Sequence, residues 1–340
     1  MIIPRITVLM AVHDGERFLP QTLASISAQT LTDYEFVIVD DCSRDASPAI
    51  LSAAASSDDR IRIHTNAANM GLTRSLNRGL EAAQGRYITR IDADDVAHPE
   101  RLAMQAEFLD SHPDHVLVGS NEIVIDATGR TVRHGRGELD AAAFRYLSAY
   151  SPPIVHSSAC FRRATLLAKN LVYDETKHTA QDFDFWLKLQ QHGYGHRLPQ
   201  RLVSVRQHGA SISATRCREQ SETAVDISGR ALIDRCGKIS PERLRALAAF
   251  VTAGEVPHKG LSDVVATAFA VERAFLEQME AGRETRRAVR RLTVNTLMKG
   301  VWRAFGNDSP TWLRSQLHLL RQRPITTATE LCAIAARRLS

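Results

Sequence analysis

Cysteine is scarce in this chain and badly placed for a structural role. The 340 residues include five, Cys42, Cys160, Cys217, Cys236 and Cys332, an odd and scattered set with no Cys-x-x-Cys pair. This argues against a disulfide framework and against a zinc site, and it predicts a reducing cytoplasm as the compartment. Long apolar runs are also missing. No window approaches the roughly 18 apolar residues of a spanning helix. Met1-Ile2-Ile3-Pro4-Arg5 lacks the basic segment and apolar stretch of a secretion signal. Neither export nor a membrane span is expected. Glycine-rich phosphate loops are absent as well. There is no P-loop motif, and Gly135-Arg136-Gly137 has half of a dinucleotide fingerprint without its third glycine or a preceding strand, so it reads as a loop. His192 and His196 are four apart, but Gly193 and Gly195 break any helix between them, which removes a zinc pair.

What is present is enough for a real core. Hydrophobic residues make up 44% of the chain and charged ones 24%, which fits one large domain with an appendage, or two domains. The net charge is +5. A basic balance can signal nucleic acid, a membrane surface or a phosphorylated substrate, so its location decides what it means. From Arg283 to Ser340 the excess is nine positive charges, more than the whole chain carries.

The N-terminal part alternates strands with helices. Ile6 to Val12 is a continuous apolar run with only Thr7 polar, the pattern of a strand buried on both faces. His13-Asp14-Gly15 turns the chain, and Leu19, Leu23 and Ile26 recur at helical spacing after it. Tyr34 to Val39 repeats the strand, Asp40-Asp41-Cys42-Ser43 forms a polar tip, and Ser47-Pro48 opens a helix with Ser as its cap. Ile61 to His64 is a third strand. A helix carrying Leu72, Leu76, Leu80 and Ala83 follows, with Gly85 as its stop. Tyr87 to Ile91 is a fourth strand. After Pro99 come a helix ending near His112-Pro113 and two more strands, Val116–Val118 and Ile123–Ile125. This order predicts an α/β fold, a mostly parallel sheet with helices on both faces.

In such a sheet ligands bind beyond the carboxyl ends of the strands. Three of those ends carry acid: His13-Asp14, Asp40-Asp41 and Asp92-Ala93-Asp94-Asp95. In extended chain Asp92 and Asp94 share a side, so both can face one ligand. Hard oxygen donors so arranged suit Mg²⁺ or Mn²⁺, which commonly bridge to phosphate. An isolated Asp-x-Asp is more often a solvated turn. Three acidic tips on buried strands are hard to explain as packing.

Together these segments resemble a known family. Val8-Leu9-Met10-Ala11-Val12-His13-Asp14-Gly15-Glu16, Val37-Ile38-Val39-Asp40-Asp41, Asn69-x-Gly71 with Asn77, Asp92-Ala93-Asp94-Asp95, His156-Ser157-Ser158, Gln181-Asp182-Phe183-Asp184-Phe185-Trp186-Leu187 and Arg206-x-His208-x-x-Ser211-Ile212-Ser213 occur in an order similar to family 2 glycosyltransferases of the GT-A fold, over about residues 5 to 215. The resemblance implies a nucleotide-diphosphate sugar donor and a divalent metal, Mn²⁺ or Mg²⁺. It places Ala11, Val12, His13 and Glu16 in the nucleotide site, Asp41 on the base, usually uracil, and Asp92 on the ribose hydroxyls. Asp94 would bind the metal, with His208 as a further ligand and Asp95 as a substitute for part of that duty. Ala11 stands where many members have Pro, His13-Asp14 where Tyr-Asn is common, and Gln181 where Glu precedes the catalytic Asp.

Sugar transfer needs a base for the acceptor hydroxyl and a cation for the departing diphosphate. Asp182 fits the first role. It starts a helix whose apolar face is Phe183, Trp186 and Leu187, and the positive end of the helix dipole is expected to keep it ionised. Taken alone Asp182 is a helix N-terminal charge with Asp184 as a rival, and His208 is a surface histidine. His156 stays open between a loop hydrogen-bonding role and a site role, and Trp186 reads as core. A single displacement by an acceptor activated from one face inverts the anomeric centre.

Beyond about Ser213 helical composition takes over, as in Arg243 to Phe250 and Val264 to Met279. The expected division is a GT-A catalytic domain over 1–215 and a helical appendage over 216–340. Leu292, Leu297, Val301, Trp302, Phe305, Trp312, Leu313, Leu317 and Leu320 interleave with the arginines. That pattern suits either a helix lying on an anionic membrane or a solvated helical subdomain. No nucleic-acid motif accompanies it. The function expected is a metal-dependent inverting transferase of the cytoplasm, open to the inner membrane face, acting on a glycan or lipid-linked acceptor in polysaccharide biosynthesis. The competing class is a non-catalytic module that retains the fold, binds a nucleotide sugar or a partner, and uses its basic tail as an anchor. A nucleotidyltransferase would need a basic glycine-rich stretch where His13-Asp14-Gly15-Glu16 is acidic.

Overall fold

The computed structural model describes residues 3–135, 137–209, 215–258, 260–279 and 281–306. The chain forms two compact units, one of Met1–Ala141 and Pro152–Arg216, the other of Ala142–Ser151 and the chain from Cys217 onward. Arg136, Ser211-Ile212-Ser213 and the apolar residues Trp312, Leu313, Leu317 and Leu320 lie outside the described residues, as does the side chain of Phe305.

The first unit opens with three βα pairs. They are β1 (Ile6–Val12) and α1 (Leu19–Ser27), β2 (Tyr34–Asp40) and α2 (Ser47–Ser57), then β3 (Ile61–Thr65) and α3 (Leu72–Ala82). β4 (Tyr87–Arg90), the short β5 (Val96–Ala97) and α4 (Arg101–Ser111) follow. β1 lies parallel between β2 and β4, and β3 flanks β2. All seven residues of β1 are buried because both its faces are covered. Val8 and Met10 join a cluster with Leu19, Leu23, Leu102 and Leu109 of α1 and α4. Leu9 points to the other face, against α3. A Cβ on Gly79 of α3 would lie 2.1 Å from Leu9 Cδ1, so a larger residue there would have to push the Leu9 side chain aside.

The remaining strands are β6 (His115–Ile125), β7 (Thr131–His134), β8 (Cys160–Arg162) and β9 (Tyr194–Arg206). The sheet order is β3-β2-β1-β4-β8-β6-β9-β5, with β7 on β6. β6 and β9 run parallel, while β8 enters antiparallel between β4 and β6. β6 is one strand where the sequence suggests two. The intervening Ser120 and Asn121 are polar but fully buried, and Asn121 Nδ2 donates to Pro199 O at 2.8 Å. Two other local expectations change. Ser47 is not a cap but lies inside the first turn of α2, and its hydroxyl accepts from Gly15 N at 2.9 Å. Gly85 is not a left-handed stop. A Cβ there would meet Thr7 N at 2.3 Å, so the residue is small because β1 passes beside it.

α5 (Ala141–Leu147), almost wholly in the second unit, a 3₁₀ turn at His156–Ser158, α6 (Arg163–Lys169) and α7 (Gln181–Leu189) complete the chain before Cys217. The second unit also holds α8 (Cys217–Arg235), α9 (Pro241–Ala253), α10 (Leu261–Gln278) and α11 (Arg283–Phe305). Its core joins Leu244, Phe250, Phe269, Val294 and Leu297 with Tyr146 and Tyr150. Residues 142–151 therefore supply two buried tyrosines to this core. Tyr146 Oη bonds Thr293 Oγ1 at 2.8 Å. Most of the described apolar residues of α11 face this core. Leu297 and Val301 are buried and Leu292 packs partly buried against the core, while Trp302 remains exposed. Among the described residues no helix is long and apolar enough to cross a membrane.

Candidate active site

The acidic ends of β1 and β2 are stitched together. Asp14 N donates to Ser43 Oγ at 3.0 Å, and Asp14 Oδ1 accepts from Arg44 N at 2.7 Å. Glu16 is part of the same stitching. Its amide donates to Asp45 Oδ2 and its carboxylate accepts from Ala46 N, both at 2.8 Å. Ala11 and Val12 are buried, and Val12 O accepts from Asp41 N at 2.8 Å. His13 is exposed yet held at both nitrogens. Its Nδ1 donates to the Asp41 carbonyl at 2.9 Å, which leaves Nε2 to accept from Asn69 Nδ2 at 2.9 Å. The ring is therefore held from both sides.

Asp41 is more occupied than a base-reading carboxylate alone would be. It accepts from Asn66 Nδ2 at 2.7 Å and from Met70 N and Gly71 N at 2.8 Å each. Gly71 has φ +87°, a conformation that favours glycine, and it begins α3. A carboxylate offers about four lone-pair sites, so three bonds leave one free. Asp41 thus ties the tip of β2 to the start of α3 and keeps one acceptor position.

At the end of β4, carboxylate oxygens of Asp92, Asp94 and Asp95 lie within 4.8 Å of one another. Their environments differ. The Asp92 carboxylate pairs with the guanidinium of Arg90 and accepts from Ser157 Oγ at 2.9 Å. Burial works to raise its pKa, but the Arg90 charge outweighs that and holds the carboxyl below the usual range. Asp94 is raised by burial and by the Asp92 charge, against the pull of His208. Its Oδ2 lies 2.9 Å from His208 Nε2. Asp95 is buried and accepts from Arg206 N at 2.8 Å, and burial with its two acidic neighbours pushes its carboxyl well up. Asp95 therefore holds the end of β9 in place. Arg206 adds to this by donating from Nε to Asp94 O at 2.9 Å, two residues before His208.

Asp182 sits in the first turn of α7, after Ala180 in a left-handed conformation at φ +52°. Burial raises its carboxyl to about 6, although Phe183 N donates to its Oδ1 at 2.8 Å. The helix terminus was expected to dominate, and desolvation does. At pH 7 the group is still mostly ionised. Asp184 pairs with Lys188 at 2.8 Å one helical turn on, which removes it as a rival base. Trp186 is fully buried.

Several residues here were not assigned roles from the sequence. His156 shares a hydrogen bond with Tyr173 Oη at 2.9 Å, and burial with the Arg90 charge pushes its imidazole well below the ordinary range. Tyr173 stacks on Phe185 of α7 with ring centroids 4.1 Å apart. Its backbone is clamped to α3, since Asn77 Oδ1 accepts from Tyr173 N at 2.9 Å and Asn77 Nδ2 donates to Tyr173 O at 3.0 Å. Arg90 carried a signal that could have found it: an arginine in an otherwise buried strand must have a partner.

The chain is similar to several known proteins. The family model for "Glycosyl transferase family 2" matches residues 7–170. EpsE of Bacillus subtilis (strain 168), assigned by its name to the glycosyltransferases, is 33% identical over 208 residues, 60% of this chain and 73% of its own length. The amylovoran biosynthesis glycosyltransferase AmsE of Erwinia amylovora is 29% identical over 203 residues, 59% of this chain and 75% of its own. Among solved structures, S. aureus TarS 1–349 in complex with UDP-GlcNAc has a TM-score of 0.58 at 16% identity, covering 97% of this chain and 92% of that one. The mannosyltransferase PcManGT of Pyrobaculum calidifontis, in complex with GDP-Man and Mn²⁺, has a TM-score of 0.50 at 16% identity, covering 100% and 82%. At that identity the structural likeness speaks for the fold, GT-A with a helical region after it.

Proposed function

Because the chain belongs to glycosyl transferase family 2, we propose that it transfers one sugar, with inversion, from a nucleotide-diphosphate donor to a hydroxyl of a cell-surface polysaccharide or glycolipid precursor. A UDP-sugar is the donor we favour. TarS was solved with UDP-GlcNAc, and one acceptor position stays open on Asp41. AmsE, by its name, serves amylovoran biosynthesis, which supports a polysaccharide setting. The observation that carries the reading is Asp182, a largely desolvated carboxylate within electrostatic reach of Asp92 and Arg90 and raised to about 6, a value suited to a general base at neutral pH.

In the proposed reaction Asp182 takes the proton of the acceptor hydroxyl as its oxygen attacks the anomeric carbon. The bond from that carbon to the diphosphate oxygen breaks, and the configuration inverts because attack and departure are on opposite faces. Ala11, Val12, His13 and Asp41 hold the base, with Glu16 fixing the loop that carries them, and Asp92 takes the ribose hydroxyls. Asp94 and His208 fit a divalent metal. One oxygen and one nitrogen donor stand 2.9 Å apart beside two further carboxylates, a set suited to Mn²⁺ or Mg²⁺. When bound there, the cation would neutralise charge on the departing diphosphate. We place the enzyme in the cytoplasm, in contact with the inner membrane face through the arginines of α11.

Hydrolysis of UDP-, GDP- and dTDP-sugars with Mn²⁺ or Mg²⁺ tests this. One donor should be cleaved only with metal. Asp94→Ala should abolish cleavage, and Asp182→Asn should lower turnover by on the order of 10²–10⁴ while leaving donor affinity intact. If no donor is bound or cleaved, a non-catalytic binding module takes the place of the transferase.

A further inference from the structure

Phe18 stands at the N-cap of α1, where a side chain that accepts from the free amides of the helix is favoured, and its own side chain makes no such bond. The half-buried ring reaches three other side chains instead. Its centroid is 5.0 Å from that of the His208 imidazole, with the two planes 45° apart. The guanidinium carbons of Arg206 and Arg17 lie 4.6 and 4.8 Å from the same centroid, within the range of cation–π attraction. The backbone under the ring is anchored. Phe18 N donates to Gly15 O at 3.1 Å, and Phe18 O accepts from Gln21 N at 3.0 Å and Thr22 N at 3.2 Å.

The next residues of α1 grip both segments that bring the metal-binding candidates together. Thr22 Oγ1 donates between the carbonyls of Ala93 and Asp95, at 2.9 and 2.8 Å, on either side of Asp94. Gln21 Oε1 accepts from Arg206 Nη2 at 2.6 Å, at the end of β9. Asp94 and His208 are 114 residues apart in the chain, and His208 lies two residues beyond the last residue of β9. Its Nε2 nevertheless faces Asp94 Oδ2 at 2.9 Å. An imidazole delivers one chosen nitrogen to an ion only when its ring orientation is fixed by neighbouring groups. A flat ring packed beside it limits that rotation.

Resting on the reading of Asp94 and His208 as metal ligands, we propose that Phe18 is a positioning residue whose ring sets the His208 imidazole toward Asp94, so that a nitrogen and an oxygen donor converge on one divalent cation. Arg206 serves the same end from the other side of the contact, because it ties the strand before His208 to α1 and lies against the Phe18 ring. A ring that merely packed would contribute to stability and leave the affinity for the metal unchanged. One that orients His208 matters to the metal only while His208 is there.

The experiment titrates Mn²⁺ into the full chain, with and without UDP, and reads the free ion by electron paramagnetic resonance, so no turnover is needed. Phe18→Leu, which keeps bulk and loses the flat ring, should weaken Mn²⁺ binding roughly 10-fold or more. Phe18→Tyr keeps the ring and should bind as the native chain does. In a His208→Ala background, Phe18→Leu should change the affinity by less than about 2-fold, because the group it orients is gone. Native affinity in Phe18→Leu, an equal loss in Phe18→Tyr, or the same loss with His208 removed overturns the proposal. Melting temperatures of all variants identify any loss that comes from unfolding, and should Phe18→Leu not fold, Phe18→Met takes its place in both backgrounds. If the native chain binds Mn²⁺ and Phe18→Leu binds it equally well, the metal reading stands and Phe18 alone loses its role. If the native chain binds no Mn²⁺ in either condition, the metal reading falls and the role of Phe18 falls with it.

Discussion

Asp182 shows how one residue can be placed for chemistry at a cost in stability. Its folded pKa of about 6 lies above the ordinary 3.8, so the native state binds its proton more readily than the unfolded chain. Below about pH 4 the group is neutral in both states and costs nothing. Between 4 and 6 it ionises only when unfolded, so stability falls as pH rises, and above 6 the full cost remains. Asp182→Asn should melt with the native chain in acid and above it at pH 7.5, by on the order of 1–3 kcal/mol. Transfer by the native chain should fall along an acidic limb near pH 6. Thermal melts over pH check the first statement and initial rates the second. A variant less stable than its parent at pH 7.5 contradicts the desolvation account. Asp41, Asp92, Asp94 and Asp95 were legible as sequence because they follow strands, and Asp182 because it opens a helix. Their unequal environments were not legible, since Ser157, His208 and Arg206 come from distant parts of the chain.

At the scale of elements, close approach explains more than propensity. Gly79 and Gly85 allow α3 and the chain after it to run against β1. Gly85 N also donates to Thr7 Oγ1 at 2.8 Å. Its Cβ would be 2.6 Å from Ile6 C and nearer still to Thr7 N, and backbone atoms cannot rotate away. Gly85→Ala should therefore destabilise by about 1–3 kcal/mol, measured as a lower urea midpoint at unchanged slope. An unchanged midpoint would mean the chain there yields easily. Strand and helix periods were readable because the core demands them. The three-residue β8 was not, since so short a segment has no period and owes its place to β4 and β6 on either side.

For the whole molecule, charge and apolar surface have gone to different places. The core of the helical unit consumes Val289, Val294, Leu297 and Val301 of α11. Arg283, Arg286, Arg287, Arg290 and Arg291 of the same helix remain exposed. Several stand three or four residues apart, where like charges repel, and the first ones oppose the helix dipole. An anionic surface would relieve both. The intact chain should sediment with vesicles rich in anionic lipid, not with neutral ones, and release should follow a rise in salt. Binding that persists in high salt would point to apolar insertion instead, for which Trp302 is the exposed large apolar residue of α11.

The sequence by itself determined the alternation of strand and helix, the acidic strand ends and the family, because these depend on local period, spacing and composition. Tertiary structure alone decided which carboxylate is charged, that Asp41 clamps α3, that Tyr146 and Tyr150 leave the catalytic unit's stretch of chain for the helical core, and that Arg90 stands behind Asp92. Each of these depends on burial and on partners far apart along the chain, and desolvation has no signature in a linear sequence.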